Sequence, residues 1–228
     1  MDQESALAQI MNKLLEPVKP YYLPFLWKPK PKPVCQNVCS QFVNSSDVVV
    51  EVGANFGGLT IMLSDLASHV YSFEPNPKTF RYLKRFVHGR KNVNLFKLAA
   101  TDRIGEERLD TDDTSLSEMS TIVGARPGIQ LTKRLSVRTC TLDSVSFHPV
   151  PTCIVLDCEG AEVAVLRGAQ RLLNNHVCKV LSEIHTLPSG ETTEQALRTL
   201  LLQNGFIVSK QYYWLVALKD PSVKNPAL

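Results

Sequence analysis

Five side chains able to move a proton or hold a cation fall in two short stretches: Asp157, Glu159 and Glu162, then Glu183 and His185. A buried carboxylate is costly unless paired or liganded, so this concentration at the ends of two apolar runs asks for a chemical reason. An imidazole with an ordinary pKa of about 6.5 suits a general base that takes a proton from a hydroxyl nucleophile. Neighbouring carboxylates would orient the His185 ring and raise its pKa. Asp157, Glu183 and His185 also form a set able to hold a divalent metal that acidifies a hydroxyl, although one His with carboxylates is not diagnostic. A plainer reading puts Glu159 and Glu162 at the start of a helix, where negative charge is favoured.

A second signature lies upstream. Val48-Val-Val-Glu-Val-Gly-Ala-Asn-Phe-Gly-Gly58 sets an apolar run against one acid and the glycines 53, 57 and 58. Glycines at a strand end of an open α/β sheet let a ligand approach the backbone closely. The spacing is not G-x-G-x-x-G, and Glu51 puts negative charge where a diphosphate would sit. A cofactor with a cationic or zwitterionic end fits better. Glu74 follows 23 residues after Glu51 (74 − 51), where an acid accepts bonds from both ribose hydroxyls. With the closing hairpin described below, these features favour S-adenosylmethionine (SAM) over a dinucleotide.

The elements that must position these groups alternate along the chain. Val48–Val52, Val70–Phe73 and Val93–Ala99 read as strands, separated by helices at Gly57–Leu66 and Pro77–Phe86, the latter with proline in its first turn. Residues 106–128 are too rich in Ser, Thr, Asp and Gly to be one element. The hydroxyl-rich part, Thr111–Thr121, is expected over the same mouth, either meeting a polyol or merely solvated. A short strand at Ser136–Thr139 precedes a strand at Thr152–Leu156, a helix at Ala161–Asn174 and a strand at Cys178–Ile184. If the Thr152–Leu156 strand persists, Asp157 and Glu159 share one face by its two-residue period. The helix Thr192–Asn204, closed by Gly205, leads to a hairpin of Phe206–Lys210 and Trp214–Leu218. The pattern predicts an α/β fold with a mainly parallel seven-stranded sheet, helices on both faces and a C-terminal antiparallel hairpin.

Ahead of this unit, Leu7, Ile10, Met11, Leu14 and Leu15 form one helical stripe suited to packing on a second subunit as a homo-oligomer. Residues 17–33 are a Pro/Lys-rich arm with Tyr21, Tyr22, Phe25 and Trp27 as apolar anchors. The expected division is therefore 1–33, helix and arm, and 34–228, the main domain. Across 228 residues the net charge is only +3, which argues against a bulk electrostatic nucleic-acid binder. No apolar run reaches membrane-spanning length, and no signal peptide is visible. The six cysteines lack metal-finger spacing and read as free thiols of a reducing, cytoplasmic compartment.

Six motifs occur in order: Glu51-Val-Gly-Ala-Asn-Phe-Gly57, Phe73-Glu-Pro-Asn-Pro77, Thr141-Leu-Asp143, Leu156-Asp-Cys-Glu-Gly-Ala-Glu162, Leu166-Arg-Gly-Ala169 and Glu183-Ile-His185. Together they resemble the FkbM-type methyltransferases, a branch of the Rossmann-like SAM-dependent class, over roughly residues 47–218. That family more often has Asp at the position of Glu51. The resemblance implies O-methylation of a hydroxyl on a small-molecule or glycan acceptor. It implies a cofactor set of Glu51, Gly53, Asn55, Gly57, Glu74, Asp102 and Asp157, with the first three bordering the methionine moiety. Glu74 would take the ribose, Asp102 the adenine amino group, and Ala100 or Thr101 a backbone donor to the ring. His185, Asp157 and Glu183 would be catalytic. An RNA 2′-O-methyltransferase is the alternative. Asp157 and Glu183 can fill two places of a Lys-Asp-Lys-Glu set, but Lys179 starts its strand at the wrong end of the sheet. A non-catalytic SAM-fold partner protein is a third reading.

Overall fold

The computed structural model describes residues 29–112 and 120–219. The apolar stripe of residues 7–15, with its expected subunit contact, and most of the arm lie outside the described residues.

The described residues begin their secondary structure with α1 (Pro33–Phe42), a helix the sequence reading did not assign, which starts on Pro33 as its first residue. Then follow β1 (Val48–Val52), α2 (Gly58–Leu66), β2 (His69–Phe73), α3 (Pro77–Phe86) and β3 (Val93–Phe96). An inserted ribbon holds β4 (Ala99–Ala100), β5 (Gly105–Thr111), β6 (Ser120–Thr121) and β7 (Lys133–Cys140). The main fold resumes with β8 (Cys153–Leu156), α4 (Glu162–Arg167), α5 (Gln170–Asn175) and β9 (Lys179–Glu183). It closes with α6 (Glu194–Gln203), β10 (Phe206–Gln211) and β11 (Trp214–Lys219).

The seven-stranded sheet has the order β10-β11-β9-β8-β1-β2-β3. All neighbours are parallel except β11, which pairs antiparallel with both β9 and β10. Strand order reverses between β1 and β8, and in such sheets the crevice beyond that reversal is where ligands bind. β1 is apolar on both faces because both are covered. Val48, Val50 and Val52 pack with Leu166, Leu173 and Leu201 on one side. Val49 packs with Val38 of α1 and Leu63 of α2 on the other.

Three local differences from the sequence reading have physical causes. The third strand stops at Phe96, and Ala99–Ala100 instead joins a second, four-stranded sheet. The polar stretch after Gly105 is a strand paired antiparallel with β7 over Gly105–Thr111. One of its faces is solvated by Glu106 and Arg108, while Leu109 packs on Ala99 and Val137, so its composition concealed it. The helix expected over 161–174 is two helices split at Gly168, where a Cβ would sit 2.1 Å from the Thr101 carbonyl oxygen. The Asp143 carboxylate caps the second, accepting from the N–H groups of Arg171 (2.7 Å) and Leu172 (3.0 Å). The Thr141–Asp143 and Leu166–Ala169 motifs thus brace one another.

Candidate active site

The turn after β1 has little freedom in its residue types. Gly53 adopts φ +92°, and a Cβ there would stand 1.8 Å from the Asp157 carbonyl oxygen at the end of β8. The N–H groups of Gly53 and Ala54 both donate to the Phe73 carbonyl at 3.0 Å, tying the turn to β2 as well. Asn55 is left-handed at φ 50°, and its N–H donates to Glu74 Oε2 at 2.9 Å. The other Glu74 oxygen accepts from the Asn76 N–H at 2.8 Å. Burial pushes the Glu74 carboxyl up to about 7 against the pull of these two donors. Glu51 is buried behind the turn, its Oε2 taken by the hydroxyls of Ser72 (2.5 Å) and Thr60 (2.6 Å). Its Oε1 has no partner among the described residues, and burial lifts this carboxyl to about 7 too. Gly57, at φ +91°, is a packing glycine: a Cβ would press on Leu83 at 2.7 Å.

A cleft of about 340 Å³ opens beyond the ends of β1 and β8. Of the expected site residues, Gly53, Asn55, Glu74 and Asp157 line it. Glu51, Gly57, Glu183 and His185 are not among the residues that line it. Asp102 is exposed and does not reach it. Ser120, Ile122 and Arg126 contribute to the rim, and Asn76 Nδ2 donates to Ser120 Oγ at 3.1 Å. The rest of the hydroxyl-rich stretch, residues 113–119, is outside the described residues.

The acid mouth is assembled around His185, which is only 4% exposed. β8 ends at Leu156 and Glu159 is left-handed at φ 52°, so Asp157 and Glu159 do not share a strand face. The turn nevertheless aims both at the imidazole. Nε2 lies 3.4 Å from Asp157, 3.7 Å from Glu183 and 3.8 Å from Glu159. Nδ1 lies 2.8 Å from Glu162 Oε1. These are ion-pair contacts; neither ring nitrogen has an aligned hydrogen-bond partner among the described residues. The Thr193 hydroxyl fixes the backbone, accepting the His185 N–H at 3.1 Å. Glu162 does occupy the first turn of α4, as the plain reading had it, and accepts from the N–H of Gly160 at 3.1 Å. Its pairing with His185 is the role that sequence reasoning missed.

Burial opposes charge on His185, but the Asp157 and Glu162 carboxylates outweigh it and lift the ring to about 10. The imidazole therefore keeps its proton at neutral pH, which does not suit the general base expected of it. Burial and the Asp157 charge push Glu183 up to about 7, with Lys32 and His185 pulling the other way. Burial would raise Asp157 as well, yet His185 and Lys32 hold it below the usual carboxylate range. One ligand atom from each of Asp157, Glu183 and His185 lies within 4.8 Å of the others, close enough to share a divalent ion.

Lys32 is the participant that the sequence did not reveal. Its Nζ is 3.3 Å from Glu183 Oε1 and 3.9 Å from Asp157 Oδ2. It was hidden in the Lys28–Pro33 run, which reads only as the end of an extended Pro/Lys-rich arm. The available signal was Pro33 as a helix start, which forces residue 32 onto the domain surface. Pro29 to Lys32 all line the cleft, so the end of the arm is part of its wall. Lys179, by contrast, pairs with Asp47 at 2.7 Å at the opposite end of the sheet.

Comparison with known proteins agrees with this geometry. The model of the methyltransferase FkbM domain matches residues 51–208. The structure resembles the methyltransferase FkbM from Methylobacillus flagellatus KT, with TM-score 0.58 and 15% identity over 82% of this chain and 48% of that one. This chain thus spans about half the length of that protein. A precorrin-6y C5,15-methyltransferase from Geobacter metallireducens GS-15 gives TM-score 0.50 and 13% identity, covering 84% of this chain and 95% of its own. A protein of the NADB-Rossmann superfamily from Streptococcus agalactiae also gives 0.50, at 12% identity over 88% and 74%. At such identities these likenesses speak for the fold alone. No curated protein matches the sequence. The family match over most of the chain, on a Rossmann-like sheet, settles the assignment: this chain belongs to the FkbM methyltransferase domain family, enzymes that take their methyl group from SAM.

Proposed function

We propose that the protein transfers a methyl group to a hydroxyl of a small-molecule or carbohydrate-like acceptor at the Asp157/Glu183/His185 mouth. The observation that carries this reading is the contact between Gly53 and the Asp157 backbone. Asp157, which lines the cleft and lies 3.4 Å from His185, thereby joins the cofactor turn to the acid mouth.

The residues present fit SAM. The cleft volume falls in the usual range for small-ligand sites, about 300–1,000 Å³. Glu74 presents a carboxylate already fixed by two backbone donors, suited to ribose hydroxyls. Glu51 keeps a buried, unpartnered acceptor beside the turn, where a positive methionine end is favoured. Gly53 and Asn55 complete that end, and Ala100 lines the wall toward the adenine. Asp102, off the cleft, is the weakest of these assignments. When bound, SAM supplies a methyl group on a positively charged sulfur.

The chain's own part is to orient the acceptor and take its proton. Glu183, titrating near neutrality, is matched to receive the hydroxyl proton. His185 acts by its charge and position rather than as the base. Asp157, ionised and lining the cleft, accepts the hydroxyl's hydrogen bond and aligns it. A second reading, an RNA ribose 2′-hydroxyl as acceptor, draws support from Lys32 beside Asp157 and Glu183, a lysine of the kind the sequence had not offered. The cysteines are all free thiols, in keeping with a reducing, cytoplasmic setting. Among the described residues no helix is long and apolar enough to cross a membrane.

The test is mass spectrometry of metabolite, glycan and RNA fractions incubated with the protein and deuteromethyl-SAM. A tag of about +17 Da on an oxygen supports the proposal, and its fraction separates the two acceptors. Transfer to nitrogen or carbon, or to nothing in any fraction, overturns it.

A further inference from the structure

Four carboxylates, Asp157, Glu159, Glu162 and Glu183, converge on the single imidazolium of His185. One positive charge does not balance that set, and unbalanced charge away from bulk water is costly. Lys32 supplies the second positive charge, and it is delivered from a fixed point. Pro33 next to it opens α1, whose Cys35, Val38 and Cys39 are buried in the core. On the other side Pro29 is buried, and the Lys30 backbone rests so close to Gly58 that a Cβ there would meet it at 2.8 Å. The ammonium reaches the two carboxylates that, with His185, make up the set able to share a divalent ion.

We propose that Lys32 is the resident cation of the acceptor mouth: it balances and orients Asp157 and Glu183, and fills the place a divalent metal would otherwise take beside these two carboxylates. This makes Lys32 a positioning residue, and it rests on reading this mouth as the acceptor site. Glu183 Oε2 is buried and unpartnered, and with Oε1 held by Lys32 it is the free atom left to meet a proton. The expected consequence is a mouth that needs no added metal while Lys32 is present and acquires one when its charge is removed.

The experiment uses Mn²⁺ alone as probe, titrated by electron paramagnetic resonance at mildly alkaline pH against the full chain, Lys32→Met and Lys32→Met/Glu183→Gln. Lys32→Met is expected to bind one Mn²⁺ at least about tenfold more tightly than the wild type, since a like charge about 4 Å away is gone. The double variant should lose that gain. In parallel, carbon NMR of labelled glutamate should show Glu183 titrating higher in Lys32→Met, a shift that mere loss of packing would not cause. Lys32→Arg, which keeps the charge, should behave as wild type. If Lys32→Met fails to fold, as judged by circular dichroism, Lys32→Gln takes its place. Equal Mn²⁺ affinity in wild type and charge-removed variant, whether tight or absent, overturns the proposal. So does Mn²⁺ uptake by Lys32→Arg. No acceptor enters the measurement, so its failure leaves the methyl-transfer reading standing, while an absence of transfer would leave the Mn²⁺ result standing.

Discussion

At the donor end of the cleft, the Glu74 carboxylate is held by backbone N–H groups of Asn55 and Asn76, both in its own turn or the adjoining one. At the proposed acceptor end, Asp157, Glu183 and His185 come from the ends of two strands, β8 and β9, and Lys32 reaches Asp157 and Glu183 from just ahead of α1. Backbone donors fix where the Glu74 carboxylate sits, so the donor end is a rigid frame, although Glu74 and Glu51 also titrate near 7. The acceptor end is an arrangement of charges, and its behaviour depends on which protons are present. Substitutions at the two ends should therefore separate binding from turnover.

The largest expected effect is at the acceptor end. Glu183→Gln should lower turnover by about 10²–10⁴-fold, the usual worth of a general base, with SAM affinity by calorimetry unchanged. A comparable loss of affinity would break the division between the ends. Next, Glu74→Ala should weaken SAM binding by about 10–100-fold, as expected for a lost charge-assisted hydrogen bond, with turnover at saturating SAM nearly kept. Unchanged affinity would remove Glu74 from the ribose.

A smaller effect concerns Glu51, whose carboxyl titrates near 7 when buried and near 4.5 when unfolded. Between those values the folded chain holds a proton that the unfolded chain has released. Stability therefore falls as pH rises through that window, with no penalty below it and the full penalty above. Glu51→Gln should remove its share of this slope, leaving that of Glu74 and Glu183, and stabilise the SAM-free protein by about 1–2 kcal/mol at pH above 7, while weakening SAM binding. Melting temperature against pH checks it, and a wild-type slope in the variant would place the titration elsewhere. The smallest effect is Asp102→Ala, expected to change SAM affinity by about twofold or less, as at most exposed sites. A large loss would bring Asp102 back to the adenine.

The same contrast explains what the sequence made legible. The donor end is written in contiguous residues: an apolar run, Glu51, Gly53 and Asn55, then Glu74 one strand later. The sheet followed from apolar runs that are buried on both faces, and the hairpin from its spacing. The insertion was harder: β5 exposes one charged face and looks like loop, and only Ser136–Thr139 of β7 reads as strand. At the acceptor end the residue types announced a site, but not the charge each carries. Nothing local indicates that Glu162 Oε1 lies 2.8 Å from His185 Nδ1, or that Asp157 and Glu162 together lift the ring's pKa well above that of an ordinary base. Lys32 lies 125 residues before Asp157 (157 − 32), and only the packing of α1 brings it to the mouth.

The most direct test of the account is the pH dependence of methyl transfer, measured for the wild type and Glu183→Gln on the acceptor identified by the deuteromethyl label. On the proposed reading Glu183, near 7, must lose its proton to act, while His185, near 10, must keep its own. The wild-type rate should then rise with pH through about 7 and fall near 10, as apparent values of the coupled group. In Glu183→Gln the rising limb should disappear. A rising limb that persists unaltered in that variant would contradict the account.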